Sequence, residues 1–143
     1  MAFRGEFEYS LDNRGRIPIP ARYRASFGSR ATLVQSQDGC VEVYTVEAYE
    51  KEAEFLITQR PVRRKARRRR RRFFGHSFDV DLDGQGRILL SPKLREHGDL
   101  QGPVIIVGRG ECLEIWNPQR WDAEESEMDE EYESDAESTE EGP

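Results

Sequence analysis

Apolar and polar residues alternate along this chain in short runs that end at glycine-containing turns. Phe7, Tyr9 and Leu11 alternate with Glu6, Glu8 and Ser10, the period-two pattern of a half-buried strand. Phe78, Val80 and Leu82 alternate in the same way with Ser77, Asp79 and Asp81. After each run comes a turn and a second short strand, carrying Ile17 and Ile19 or Ile88 and Leu90. A short helix follows. In the second instance Ser91 is its predicted N-cap, Pro92 its first helical residue and Gly98 its terminator. Two further strands are predicted next, "ATLV" with "CVEVY" and "VIIV" with "CLEIW". Another helix then opens, capped by Thr45 or by Asn117-Pro118.

The two series are copies. "LDNRGRIPIP" (11–20) and "LDGQGRILLS" (82–91) align at an offset of 71, so Asp12, Gly15, Arg16 and Ile17 recur as Asp83, Gly86, Arg87 and Ile88. After a one-residue insertion, Cys40, Glu42, Tyr44 and Tyr49 fall on Cys112, Glu114, Trp116 and Trp121. The predicted organisation is a first repeat over 3–49, a helical Arg-rich connector over 50–74, a second repeat over 75–121 and an acidic, disordered tail over 122–143. In the connector, Tyr49, Ala53, Leu56 and Ile57 form one apolar helical stripe. Pro61 interrupts it, and the Arg-rich run resumes as a second helix ending near Phe73, Phe74 and Gly75. Four short strands per repeat predict a mainly β fold with peripheral helices (α+β). A small β-barrel or a sandwich is expected; a half-barrel of so few strands cannot close alone, and pairing the halves within one chain is expected to solve that.

Charge changes the picture more than composition does. The net charge of −6 hides a segregation: residues 122–143 hold 12 acidic and no basic side chains. The remainder carries 22 basic residues against 16 acidic ones (28 less those 12), and residues 60–72 alone hold 10 of the basic ones. A basic body with a very basic patch points to a polyanion, nucleic acid before membrane. No run of 18 apolar residues predicts a membrane-spanning helix, and the first residues lack the apolar core of a signal peptide. Two cysteines without a secretion signal lead us to expect a reducing cytoplasm.

Several residues invite chemistry. An exposed Arg16 or Arg87 beside a glycine can meet phosphate or read a guanine edge, with Asp12 or Asp83 steadying it across the turn. The same pairs can equally do no more than staple their turns. Arg14 adds a cation to the first turn where the second has Gln85, so the first is expected to attract phosphate more strongly. Nine basic residues in 63–72, among them Arg63, Arg64, Arg67 and Arg68, suit nonspecific, salt-sensitive phosphate contacts. The acidic tail is expected to compete with DNA for them. Asp79, Asp81, Asp83 and Gly84 resemble the opening of a calcium loop, but the twelfth position is Leu90 rather than Glu. Cys40 and Cys112 hold equivalent positions, as packing residues do, and His76 and His97 do not match across the repeat. Tyr44, Tyr49, Trp116 and Trp121 are expected in the core. No catalytic constellation, metal site, cofactor or small-molecule substrate is expected.

With the doubled Asp-x-x-x-Arg turn, Gly5, Leu11, Pro20 and Arg24 in the first copy, and Leu94, Arg95, Glu114, Ile115, Trp116 and Trp121 in the second, the sequence resembles the MraZ family of bacterial transcriptional regulators, built of tandem SpoVT/AbrB-type repeats. The resemblance spans Phe3 to about Trp121. It implies a swapped-hairpin, AbrB-like β-barrel formed by the two repeats as an intramolecular pseudo-dimer. It also implies ring-like homo-oligomers and a cytoplasmic, nucleoid-associated repressor that binds direct repeats in double-stranded promoter DNA upstream of division and cell-wall genes. DNA contact then falls to Arg16 and Arg87, with Arg14 beside them, on turns oriented by Asp12, Asp83, Gly15 and Gly86. The chain departs from the family in having Ser91 where proline is usual, and in its Arg-rich run and acidic tail. A nonspecific nucleic-acid or nucleoid-binding protein driven by the Arg run is the alternative.

Overall fold

The computed structural model describes residues 2–59 and 63–141; over 136–141 only the backbone course is considered. Among the described residues, eight strands and five α-helices follow one another in the order expected of a duplication. The first repeat holds β1 (Glu6–Ser10), β2 (Arg16–Pro18), a 3-10 turn (Ala21–Tyr23) leading into α1 (Arg24–Phe27), β3 (Arg30–Gln35) and β4 (Val41–Tyr44). Then come α2 (Val46–Thr58) and α3 (Arg64–Gly75). The second repeat has β5 (Ser77–Asp81), β6 (Arg87–Leu89), α4 (Pro92–Gly98), β7 (Pro103–Gly108) and β8 (Leu113–Trp116), followed by α5 (Pro118–Glu141).

Strand pairing interleaves the repeats. Six strands form an antiparallel sheet in the order β1-β7-β8-β4-β3-β5, and β2 pairs with β6 in a separate two-stranded ribbon. Thus β1 of the first repeat pairs with β7 of the second, and β5 of the second with β3 of the first. The halves meet at β4 and β8, where Glu42 stands opposite its own counterpart, Glu114. β1 and β5 remain as edges, so the pairing is that of an open sheet and a ribbon rather than the expected closed barrel. The cause lies in the tight turns. Each lets its first strand join the large sheet while the second crosses over to the ribbon.

Between ribbon and sheet lies the main core. Ile17, Ile19, Ile88 and Leu90 come from the ribbon and its exits, and pack with Leu33, Val41, Val43, Val104, Ile106, Leu113 and Ile115 of the sheet. The alternation in β4 and β8 sends Val41, Val43, Leu113 and Ile115 inward and Glu42, Tyr44, Glu114 and Trp116 to the opposite face. That face is covered too. Tyr44 and Val34 pack with Tyr49 of α2 and Phe73 of α3, and Trp116 and Cys40 pack with Trp121 of α5.

The predicted caps hold, with one correction. Thr45 accepts the Ala48 N–H at 3.1 Å, and Ser91 accepts the Leu94 N–H at 3.3 Å. Asn117 accepts the N–H groups of Gln119 and Arg120. The stop after α4, however, is Asp99, left-handed at φ 51°, not Gly98, which remains helical. Its short polar side chain tolerates that conformation. In α2, Ala53 and Leu56 are buried as the stripe requires, but Ile57 is 60% exposed, because the helix ends one residue later. Pro61 lies outside the described residues.

The acidic tail extends a helix. Expected to be disordered, it continues α5 through to Glu141. Glu and Ala are strong helix formers, and neither glycine nor proline interrupts the segment after Pro118. Asn117 caps the helix and buried Trp121 anchors its first turns, so propagation needs only local propensity. Over 122–135 most of its side chains are exposed.

Candidate nucleic-acid interface

Each predicted turn is a small hydrogen-bonded unit built around its aspartate. Asp12 Oδ1 accepts the backbone N–H groups of Arg14 and Arg16, each at 2.9 Å, and Oδ2 accepts Arg16 Nε at 2.7 Å. In the second copy Asp83 Oδ1 accepts from Gln85 at 2.9 Å and Arg87 at 3.0 Å, and Oδ2 accepts Arg87 Nε at 2.8 Å. Backbone bonds from Gly15 to Asp12 and from Gly86 to Asp83, both 3.0 Å, close the turns. Both glycines have positive φ, +82° and +74°, which other residues adopt at a cost.

The physical effect is to spend Nε of each arginine on its aspartate and leave the outer guanidinium nitrogens for another acceptor. Arg16 and Arg87 side chains are each 28% exposed. The donated hydrogen bonds favour the carboxylates. The Arg87 backbone N–H, first, and then the Gln85 N–H hold Asp83 down to about 2; the Arg16 N–H in the same way holds Asp12 below its usual range. Charged aspartates keep the arginines fixed across the neutral range.

The ribbon brings the two turns together. Arg16 is paired in register with Leu89 and Pro18 with Arg87, and Arg87 Nη1 lies 3.9 Å from Asp12 Oδ2 of the other repeat. Ile17 and Ile88 point into the core, so Arg16, Pro18, Arg87 and Leu89 form the outward row. Exposed Arg14 stands at one end, and Gln85 takes the matching place at the other.

Two arginines here escaped the sequence reading as site residues. Arg24 Nε donates to Ile19 O at 3.2 Å, and Arg95 Nε donates to Leu90 O at 3.1 Å. Each crosses to the other repeat: a Cβ on Gly86 would meet Arg24 Nε at 2.5 Å, and one on Gly15 would meet Arg95 Nε at 2.9 Å. They braid the two turns and thicken the positive surface around them. Their spacing in the chain equals that of Asp12 and Asp83, and this repeat position was the signal available for them.

The Arg-rich run is elsewhere. Phe73 fastens α3 to the outer face of the sheet, whereas the ribbon lies on the inner face. Arg63 precedes the first turn of α3; Arg64, Arg67 and Arg68 are exposed on it. The structure therefore does not bring these four residues to the turns. Nor is the whole run free for a ligand. Arg70 donates through Nε to Leu56 O and through Nη2 to Ile57 O and Gln59 O, at 3.0–3.1 Å, closing the C-terminal end of α2.

Other candidates have structural roles. Glu42 and Glu114, 8% and 6% exposed, share Arg109: Nη1 binds both carboxylates, and Nη2 reaches Tyr44 and Glu111. Burial still pushes Glu42 up. Burial likewise raises both Cys40 and Cys112, which keeps them as thiols and poor nucleophiles. Asp79 and Asp81 sit in β5, and Asp83 is occupied by its turn, so no calcium loop forms. Among the described residues no three His, Cys, Asp or Glu converge as metal ligands, and no helix is long and apolar enough to cross a membrane.

Comparison with known proteins agrees with the geometry. The family model described as MraZ protein, antitoxin-like, matches twice, over residues 2–72 and 73–141. A protein of Pediococcus pentosaceus named transcriptional regulator MraZ is 38% identical over 136 residues, 94% of each chain. Proteins of the same name from Heliobacterium modesticaldum and Thioalkalivibrio sulfidiphilus are 39% and 37% identical, covering 83% of this chain and 83% and 82% of theirs. Two matched repeats, doubled Asp-x-x-x-Arg turns and similarity over 83–94% of the chain place it in the MraZ family.

Proposed function

We propose that this chain is a sequence-specific DNA-binding transcriptional regulator and not an enzyme. One observation carries the reading: a two-stranded ribbon whose outward row displays Arg16 and Arg87, each locked by its own aspartate. A two-stranded ribbon fits the major groove, and a guanidinium hydrogen-bonded to its aspartate through Nε can turn its outer nitrogens to phosphate or a guanine edge. Arg14, Arg24 and Arg95 add phosphate attraction around it. The names of the relatives, transcriptional regulators throughout, support the same reading.

In this proposal the interleaved repeats act as an AbrB-like pseudo-dimer with swapped hairpins, and the protein represses promoters of division and cell-wall genes. One ribbon makes few contacts. Ring-like homo-oligomers engaging several direct repeats at once would supply the missing affinity through effective concentration. The exposed arginines of α3 support a second, nonspecific activity toward nucleic acid, which the acidic α5 tempers. Footprinting the region upstream of its own coding sequence with the wild type and Arg16→Ala at fixed salt tests the main reading. A repeat-spaced footprint lost in the variant is expected. Uniform, salt-sensitive coverage unchanged by the substitution would leave only nonspecific binding.

A further inference from the structure

The outward row of the ribbon is not all charge. Leu89 is 53% exposed there, between Ile88 and Leu90, which are completely buried. A lone exposed leucine on an ordinary surface asks for no explanation. This one is the register partner of Arg16 and lies on the same side of the ribbon. It also walls a shallow hollow with Phe78, Val80 and Leu94, whose rim carries Asp79 and Asp81. Asp79 is bonded to Thr32 and Asp81 faces Arg30 at 3.7 Å, and the apolar wall between them offers a phosphate no donor, so a duplex lying on the ribbon meets Leu89 with a base edge and not with its backbone. In the major groove the apolar feature of a base edge is the C5-methyl of thymine.

We propose that Leu89 is a specificity-determining residue that reads a thymine methyl beside the base contacted by Arg16; this rests on the DNA-binding reading above. The internal symmetry sharpens the assignment. The equivalent residue in the first repeat is Pro18, paired with Arg87, and its ring is shorter and only half exposed. One half of the ribbon therefore selects thymine and the other does not. Arginine supplies charge and a hydrogen-bonding fork; leucine supplies the discrimination that a guanidinium cannot make, between thymine and the same base without its methyl.

The test is a two-by-two comparison by fluorescence anisotropy with the full-length protein. The probe is the duplex footprinted upstream of its own coding sequence, with thymines replaced singly by deoxyuridine. At one thymine per direct repeat the wild type should lose about fourfold in affinity, the value of one methyl group withdrawn from an apolar contact. Leu89→Ala should bind the thymine duplex more weakly by a similar factor and no longer distinguish the two bases, while Leu89→Met restores part of the distinction. An unchanged thymine-to-deoxyuridine ratio in Leu89→Ala overturns the assignment, as does a loss of oligomer mass without any change in that ratio. These failures differ from failure of the underlying reading, in which no footprint forms or Arg16→Ala leaves it intact.

Discussion

Arg24 rests on Gly86 of the other repeat, so closely that a methyl group on that glycine would stand 2.5 Å from both Cδ and Nε of the arginine. The contact joins α1 of one repeat to the turn of the other, and a side chain at Gly86 would have to push the Arg24 guanidinium aside. The φ of +74° there adds a second penalty for any other residue. Gly86→Ala should therefore lower unfolding stability by about 1–2 kcal/mol. Gly84→Ala, two residues away with no atom within 4 Å of its Cβ, should change it by less than about 0.5 kcal/mol. Urea denaturation of the two variants measures the contrast.

The aspartates give the turns a defined response to acid. Asp83 is held down to about 2 from the ordinary 3.8, chiefly by the Arg87 backbone N–H, and Asp12 shifts the same way. Because the folded value is depressed, the contribution to stability is fully present above about pH 4. It is lost as pH falls from there toward 2. Carboxyl carbon chemical shifts followed by NMR should show Asp83 titrating near 2, and Asp83→Asn should remove that part of the acid dependence.

Phosphate attraction should be lopsided. Arg14 flanks one turn and Gln85 the other, so the first turn carries a cation that the second lacks. Arg14→Gln should reduce the slope of log affinity against log salt by about 0.9, the release of one counterion, and Gln85→Arg should raise it by about the same amount. Titrations at several salt concentrations read both.

Arg109 holds two buried carboxylates on adjacent central strands. Arg109→Leu strands Glu42 and Glu114 side by side. It should cost about 3 kcal/mol, at the low end for breaking buried pairs because Arg109 itself reaches solvent. Denaturation curves check this. Affinity for DNA at a temperature where the variant is folded should stay within about twofold of wild type, since the cluster faces away from the ribbon.

The acidic helix should act on α3. Replacing Glu130, Glu131 and Glu133 of α5 by glutamine in the full-length protein is expected to tighten binding to nonspecific duplex at low salt by about tenfold, and to leave Arg16-dependent binding to the footprinted site nearly unchanged. Equal nonspecific affinity with and without these carboxylates would refute that role.

Most of the local structure was legible because it is written in local chemistry. Thr45 and Ser91 each cap by accepting an N–H three residues on, and Asp12 and Arg16 close their turn with bonds between near neighbours in the chain. The partners of the strands were not legible. Nothing in "EFEYS" tells that β1 will lie against β7 and not beside β2, because period two specifies which face is buried and leaves the neighbour open. For the same reason Arg24 and Arg95 went unassigned: their importance comes from crossing to the other repeat's glycine. The acidic tail shows a different limit of composition. Low hydrophobicity argues against packing, but Glu-rich sequence needs no packing to extend a helix already anchored by Trp121. Density of charge does not assign roles within a run either, since Arg70 belongs to the most basic stretch and donates to the carbonyls that end α2.

The exchange of β1 and β5 between the repeats has a consequence for heredity as well as for shape. A dimer of two identical single-repeat chains must present the same residues twice, so any change in one half appears in the other, and its target reads alike in both directions. Here the halves are bound into one covalent chain and cannot be separated without opening the sheet, yet each mutates alone. Arg14 against Gln85, and Pro18 against Leu89, are the record of that freedom. A ribbon so differentiated has a front and a back, and a duplex laid across it acquires an orientation.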